Sequence, residues 1–171
     1  RLPLPKAATA TLSGLTRKQG TLVYDTSQQA VYYDDGTALN ALGGAGTSFR
    51  ITQASHGFTA SNLGAPLYYT GSTYAKAKAD AANTAEIVGS IASIVDTNTF
   101  ILNQSGSVTV ATAVNGGSAL TAGTVYFLSA SSAGQITSTE PTTVGYISKP
   151  VGVASSTSTL ILTSYRGVTI G

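Results

Sequence analysis

The residues with side chains suited to moving protons or holding metals are few. A single histidine, His56, stands in "SHGF", and the acids outside the N-terminal region are Asp80, Glu86, Asp96 and Glu140. One histidine excludes a histidine-rich metal site, and beside a glycine its ordinary work is to bond local backbone in a turn. An acid pair is the remaining route to an enzyme, because glycoside hydrolysis sets one carboxyl as acid and a second as nucleophile or base across a sugar. Each of these acids lies in or beside a turn signal, where carboxylates accept local N–H groups. With no cysteine, thiolate chemistry is also excluded. Nucleophile-elbow, phosphate-loop and dinucleotide signatures are missing as well. The expectation is a protein that is not an enzyme, with no catalytic residues, no metal and no cofactor.

Nine tyrosines without a tryptophan form the other conspicuous set. Tyr68, Tyr69 and Tyr74 flank the turn "TGS", where at least one ring would face solvent at a hairpin tip. Such rings stack on sugar faces while their hydroxyls bond sugar hydroxyls, so the three are candidate glycan contacts. Adjacent strand residues point to opposite faces, and one ring of the pair then serves the core. Net charge is only +2, with Arg1, Lys6, Arg17 and Lys18 ahead of Asp25, Asp34 and Asp35. No aromatic-interleaved basic stripe accompanies them, so nucleic acid is not an expected partner. No apolar run reaches the roughly 18 residues of a spanning helix, and no membrane insertion is expected. The chain opens at Arg1 and contains no methionine, which reads as a processed or cut end.

The elements that must position these residues read as strands. Charged residues make up 9% of the chain and apolar ones 42%, with abundant Thr, Val, Ile, Tyr and 19 glycines. That balance favours strands and tight turns over helices. Residues 1–19 carry prolines and no sustained period, and read as an extended arm. "TLVYD" (21–25) and "AVYY" (30–33) form a hairpin whose two faces both bear apolar or aromatic side chains. Leu22, Val23, Tyr24, Val31, Tyr32 and Tyr33 are therefore candidate assembly contacts, since an isolated hairpin is marginal in water. Asp34-Asp35-Gly36 reads as turn chemistry; a calcium loop would need further oxygen ligands and a closing glutamate. "GGAG" (43–46) reads as a flexible linker between residues 1–42 and a globular domain of residues 47–171.

In that second part, strands are expected in "SFRITQ" (48–53), "PLYYT" (66–70), "TYAKAKA" (73–79), "EIVGSIASIV" (86–95), "TFILNQ" (99–104), "SVTVAT" (107–112), "TVYFLSA" (124–130), "TVGYISK" (143–149), "PVGVAS" (150–155) and "STLILTSY" (158–165). Residues 75–87 have helical propensity, but the alternation of lysines against alanines favours a strand. The fold class expected is all-β: an N-terminal extended arm and β-hairpin followed by a compact β-barrel or sandwich domain.

"GTLVYDTSQQAVYYDDGTALNALG" resembles a module of bacteriophage tail-fibre and other virion fibre proteins, in which a Leu-Pro arm precedes "G-x-L-V-Y-D-T" and a later "D-G-T-A-W". Leu39 stands where that module has tryptophan. The stretch from "ITQASHGFTASNLGAPLYYTGSTY" through "LTAGTVYFLS", "TEPTTVGYISKPVGVA" and "YRG" also resembles a β-rich module of phage virion proteins. The resemblance implies a structural viral protein located on the virion, at the tail or the capsid exterior, and acting in host attachment as a tail fibre or fibre tip. It implies a homotrimer whose copies cover the hairpin, an arm that engages other virion proteins, and a host-surface glycan as ligand. A capsid decoration protein or head fibre is the alternative of the same class; a glycan-active enzyme using an acid pair is the alternative of another.

Overall fold

The computed structural model describes residues 6–8, 19–26, 30–37, 39–42, 48–163 and 165–171. The linker expected at 43–46 and most of the arm lie outside them. The chain divides into two compact units, Arg1–Gly44 and Ala45–Gly171.

The first unit is a four-stranded sheet of β1 (Lys6–Ala7), β2 (Leu22–Asp25), β3 (Ala30–Asp34) and β4 (Leu39–Leu42), ordered as they occur in the chain. The expected hairpin is β2 and β3, in the register Leu22 to Tyr33 and Tyr24 to Val31. Two things differ from the sequence reading. The arm supplies a strand, β1, parallel to β2, and the residues after the Asp-Asp-Gly turn return as β4 against β3. Short edge strands of this kind carry little periodicity of their own and form because a neighbour presents unpaired backbone groups. The turn itself is built from side-chain acceptors: Gly36 N–H donates to Asp34 Oδ1 and Thr37 N–H to Asp35 Oδ1, both at 2.8 Å. Gly36 adopts φ +92°, open to glycine without strain.

The second unit begins with β5 (Ser48–Thr52), β6 (Pro66–Tyr69), β7 (Tyr74–Lys76), β8 (Ile87–Asp96) and β9 (Thr99–Asn103), which form an antiparallel sheet in the order β5-β9-β8-β6-β7. There follow β10 (Ser107–Thr109), β11 (Val125–Leu128), β12 (Ile136–Thr137), β13 (Ile147–Ser148), β14 (Pro150–Ala154), β15 (Thr159–Leu162) and β16 (Val168–Thr169). Five of them make a second antiparallel sheet, β10-β15-β14-β11-β12, while β13 pairs with β16. The unit is all-β, and every run named above as a strand contains one. Neither large sheet closes on itself, so the sandwich and not the barrel is realised.

Alternation along the strands explains the core. Leu67, Ile91 and Phe100 of the first sheet and Leu128, Val151 and Leu160 of the second belong to one continuous buried cluster. The ambiguous segment after Tyr74 is extended for a few residues and then turns, with no helix. Ala77 and Ala79 are fully buried while Lys76 and Lys78 stay half-exposed. Ala79 also stitches the sheets together: its N–H donates to the Ser129 carbonyl at 3.0 Å and its carbonyl accepts from Ile147 N–H at 2.9 Å. Burying alternate alanines and pairing their backbone across strands outweighs the helical propensity of Ala and Lys, which amounts to tenths of a kcal/mol per residue, about 0.5.

Candidate functional site

The "YYTGSTY" turn is a tight hairpin between β6 and β7. Thr70 closes it by accepting from Thr73 N–H on its hydroxyl at 3.1 Å and by donating its own N–H to the Thr73 carbonyl at 2.9 Å. Gly71 has φ +99° at the tip. Tyr69 and Tyr74 are cross-strand partners and so share a face, with ring centroids 5.1 Å apart, while Tyr68 pairs with Ala75 on the other face. Tyr69 is 49% exposed. Tyr74 is half-buried, its ring edge-on to Phe100 at 5.8 Å. Its backbone is held by Gln53, which accepts from Tyr74 N–H at 2.7 Å and donates to its carbonyl at 3.2 Å. Tyr68 packs against the core cluster. Of the three rings, Tyr69 is therefore the one presented for contact and Tyr74 the one that braces it. Chemical denaturation should separate these roles: Tyr69→Ala is expected to cost under about 1 kcal/mol and Tyr74→Ala about 2–3 kcal/mol. Equal costs would mean that both rings serve the core.

His56 is a structural pin. Phe58 N–H donates to its Nδ1 at 2.9 Å, and its Nε2 lies 2.9 Å from the Asp96 carbonyl, which fixes Nε2 as the donor. The ring stacks on Phe58 at 5.1 Å and meets Phe100 edge-on at 5.3 Å. Both nitrogens are thus engaged by backbone, one local and one 40 residues away in sequence.

Three of the four acids, all but Glu86, are similarly occupied. Asp96 accepts from Asn98 N–H at 2.7 Å and Glu140 accepts from the Ser148 hydroxyl. Asp80 bonds Lys78 Nζ at 2.8 Å and Thr84; the hydrogen bond from Lys78 holds its carboxyl below the ordinary value. Lys78 and Asp80 are each about a third exposed, at 33% and 35%, so solvent screens the pair. Among the described residues no group of three His, Cys, Asp or Glu is placed to hold a metal ion.

Among the described residues, two concave features lie elsewhere in the second unit. The more open is polar, and several of its groups are engaged by the protein itself: Tyr126 OH accepts from Thr121 N–H, Ser129 Oγ from Ser131 N–H, and Gln135 Nε2 donates to the Ala113 carbonyl. The other is a cavity of about 340 Å³ with Ile87, Val88, Val151 and Leu162 as apolar wall and Ser90, Gln104, Lys149 and Thr163 as polar lining. Its hydroxyls at Ser90 and Thr163 are buried without a hydrogen-bond partner. Sequence reasoning passed over these residues. The available signal was Lys149 itself, one cation in "YISKPVGVA" with no acid nearer than Glu140.

The candidate assembly residues fall on the two faces of the first sheet. Val23, Tyr32 and the acids Asp25 and Asp34 share one face; Val23, Asp25 and Asp34 are buried. Leu22, Tyr24, Val31 and Tyr33 share the other, where Leu22 is 43% and Tyr33 38% exposed. The two faces are therefore unequal, which the apolar content of both strands did not reveal. No protein-family model, curated protein or solved structure matches this chain.

Proposed function

We propose that this chain is a non-enzymatic structural protein of a bacteriophage virion, a tail fibre or fibre tip, whose first unit joins copies of the chain and whose second unit is displayed for attachment to a host surface. The observation that carries the assembly half is the exposed apolar face of the first sheet. Leu22 and Tyr33 are direct cross-strand partners, and burying the 43% and 38% of them that is still exposed contributes about 1 kcal/mol each. In a homotrimer that gain is repeated by symmetry, which suits a small sheet with little core of its own. The virion setting rests on the resemblance of residues 20–43 and of the later strands to fibre modules. Attachment is supported by Tyr69, an exposed ring on a rigid hairpin, because repeated weak contacts gain strength when copies are linked.

Sedimentation equilibrium tests the assembly directly. The whole chain is expected to run as a trimer, and a Leu22→Asp, Tyr33→Asp double variant to dissociate, since charges on that face must be desolvated to associate. A monomeric parent chain, or a variant that remains trimeric, overturns the reading.

A further inference from the structure

The cavity beside Lys149 has the makings of a ligand site. Lys149 is 8% exposed, yet its ammonium has one hydrogen bond among the described residues, to the Tyr165 carbonyl, and no carboxylate pairs with it there. An ammonium has three donors and is costly to bury unless charge and hydrogen bonds compensate it. Its stem is held in place by the chain that follows β15: a Cβ at Gly167 would lie 2.6 Å from Ile147 Cγ2 and 3.4 Å from Lys149 Cδ. The cation therefore sits on a fixed wall. Ser90 and Thr163, whose hydroxyls are buried and unpartnered, line the same space, as does Gln104.

We propose that this cavity binds a hexuronic acid ring, with Lys149 taking the carboxylate and Ser90, Thr163 and Gln104 taking ring hydroxyls. Among the described lining residues Lys149 is the one cation, and a single ammonium without an arginine fork fits a singly charged carboxylate better than a phosphate. Hydroxyl and amide groups that each donate and accept match a ligand bearing several hydroxyls, where an aliphatic acid would leave them unpaired. Ile87, Val88, Val151 and Leu162 offer the apolar surface that C–H faces of a sugar need. A volume of about 340 Å³ admits a single ring and not an extended oligosaccharide. The site lies wholly within the second unit and does not depend on how copies of the chain assemble.

Titration calorimetry on the full chain, with D-glucuronate and D-galacturonate as probes and D-glucose, D-galactose and acetate as controls, tests this assignment. At least one uronate should bind; its neutral counterpart should be at least about tenfold weaker because the charge-assisted bond is lost, and acetate at least about tenfold weaker because the hydroxyl and amide groups are left unpaired. Lys149→Met should abolish uronate binding while its melting temperature stays level or rises, because an uncompensated buried charge has been removed. Thr163→Val, which keeps the shape, should weaken binding severalfold and gives the same readout if the lysine variant fails to fold. Absence of uronate binding, acetate binding as tightly as the uronates, or full affinity in either variant would overturn the assignment.

Discussion

Phe100→Ala is expected to destabilise the second unit by about 4 kcal/mol, a large fraction of the 5–15 kcal/mol that holds a domain together. Phe100 has no exposed surface and lies on the central part of the first sheet, paired with Ile51 on one side and Ile94 on the other. Its ring is met edge-on by His56, Phe58 and Tyr74 at 5.3, 5.2 and 5.8 Å, so truncation removes a shared partner from three other rings as well as leaving a void. Urea denaturation followed by far-UV circular dichroism measures the loss. Phe49→Ala is the control: Phe49 is on the edge strand and 41% exposed, and its removal should cost under about 1 kcal/mol. Similar midpoints for the two variants would show that the aromatic cluster does not anchor the core.

Gly152→Ala is expected to cost about 3 kcal/mol, or to prevent folding, although it adds one methyl group. Gly152 lies in the middle strand of the second sheet, in register with Leu162 of the neighbouring strand. A Cβ there would come within 2.2 Å of the Ile161 carbonyl oxygen and 2.9 Å of Leu160 Cγ. The first of these is backbone in a paired central strand and has no rotamer through which to yield. Gly71→Ala makes the comparison, since nothing lies within 4 Å of its Cβ position; its cost is confined to the φ of +99°. Thermal melting of both variants checks the argument, and a Gly152→Ala protein melting with the parent would show that the two strands part easily.

Much of the fold was legible because β-structure writes a period of two into the chain. "TLILT" and "TFILN" read as strands from their residue types, and "TGS" and "DTN" between runs marked where chains reverse. The lysine and alanine alternation of 74–79 was informative for the same reason: it reported which side chains would be buried before any partner was known. The short strands Lys6–Ala7, Leu39–Leu42, Ile136–Thr137 and Val168–Thr169 were not legible. Two to four residues hold no period, and they are strands only because a neighbour's unpaired N–H and C=O groups recruit them.

By itself the sequence determined that this is an all-β chain without thiol, histidine-cluster or nucleotide-loop chemistry, because those conclusions rest on residue types and local alternation. It also determined that Tyr68 and Tyr69 must face opposite ways. Which of Tyr69 and Tyr74 is exposed, which face of the first sheet is left uncovered, and that Ser90, Lys149 and Thr163 line one cavity were decided by tertiary structure alone. Exposure is a property of what packs on a residue, and residues 59 positions apart, such as Ser90 and Lys149, become neighbours only when two sheets close on a common core.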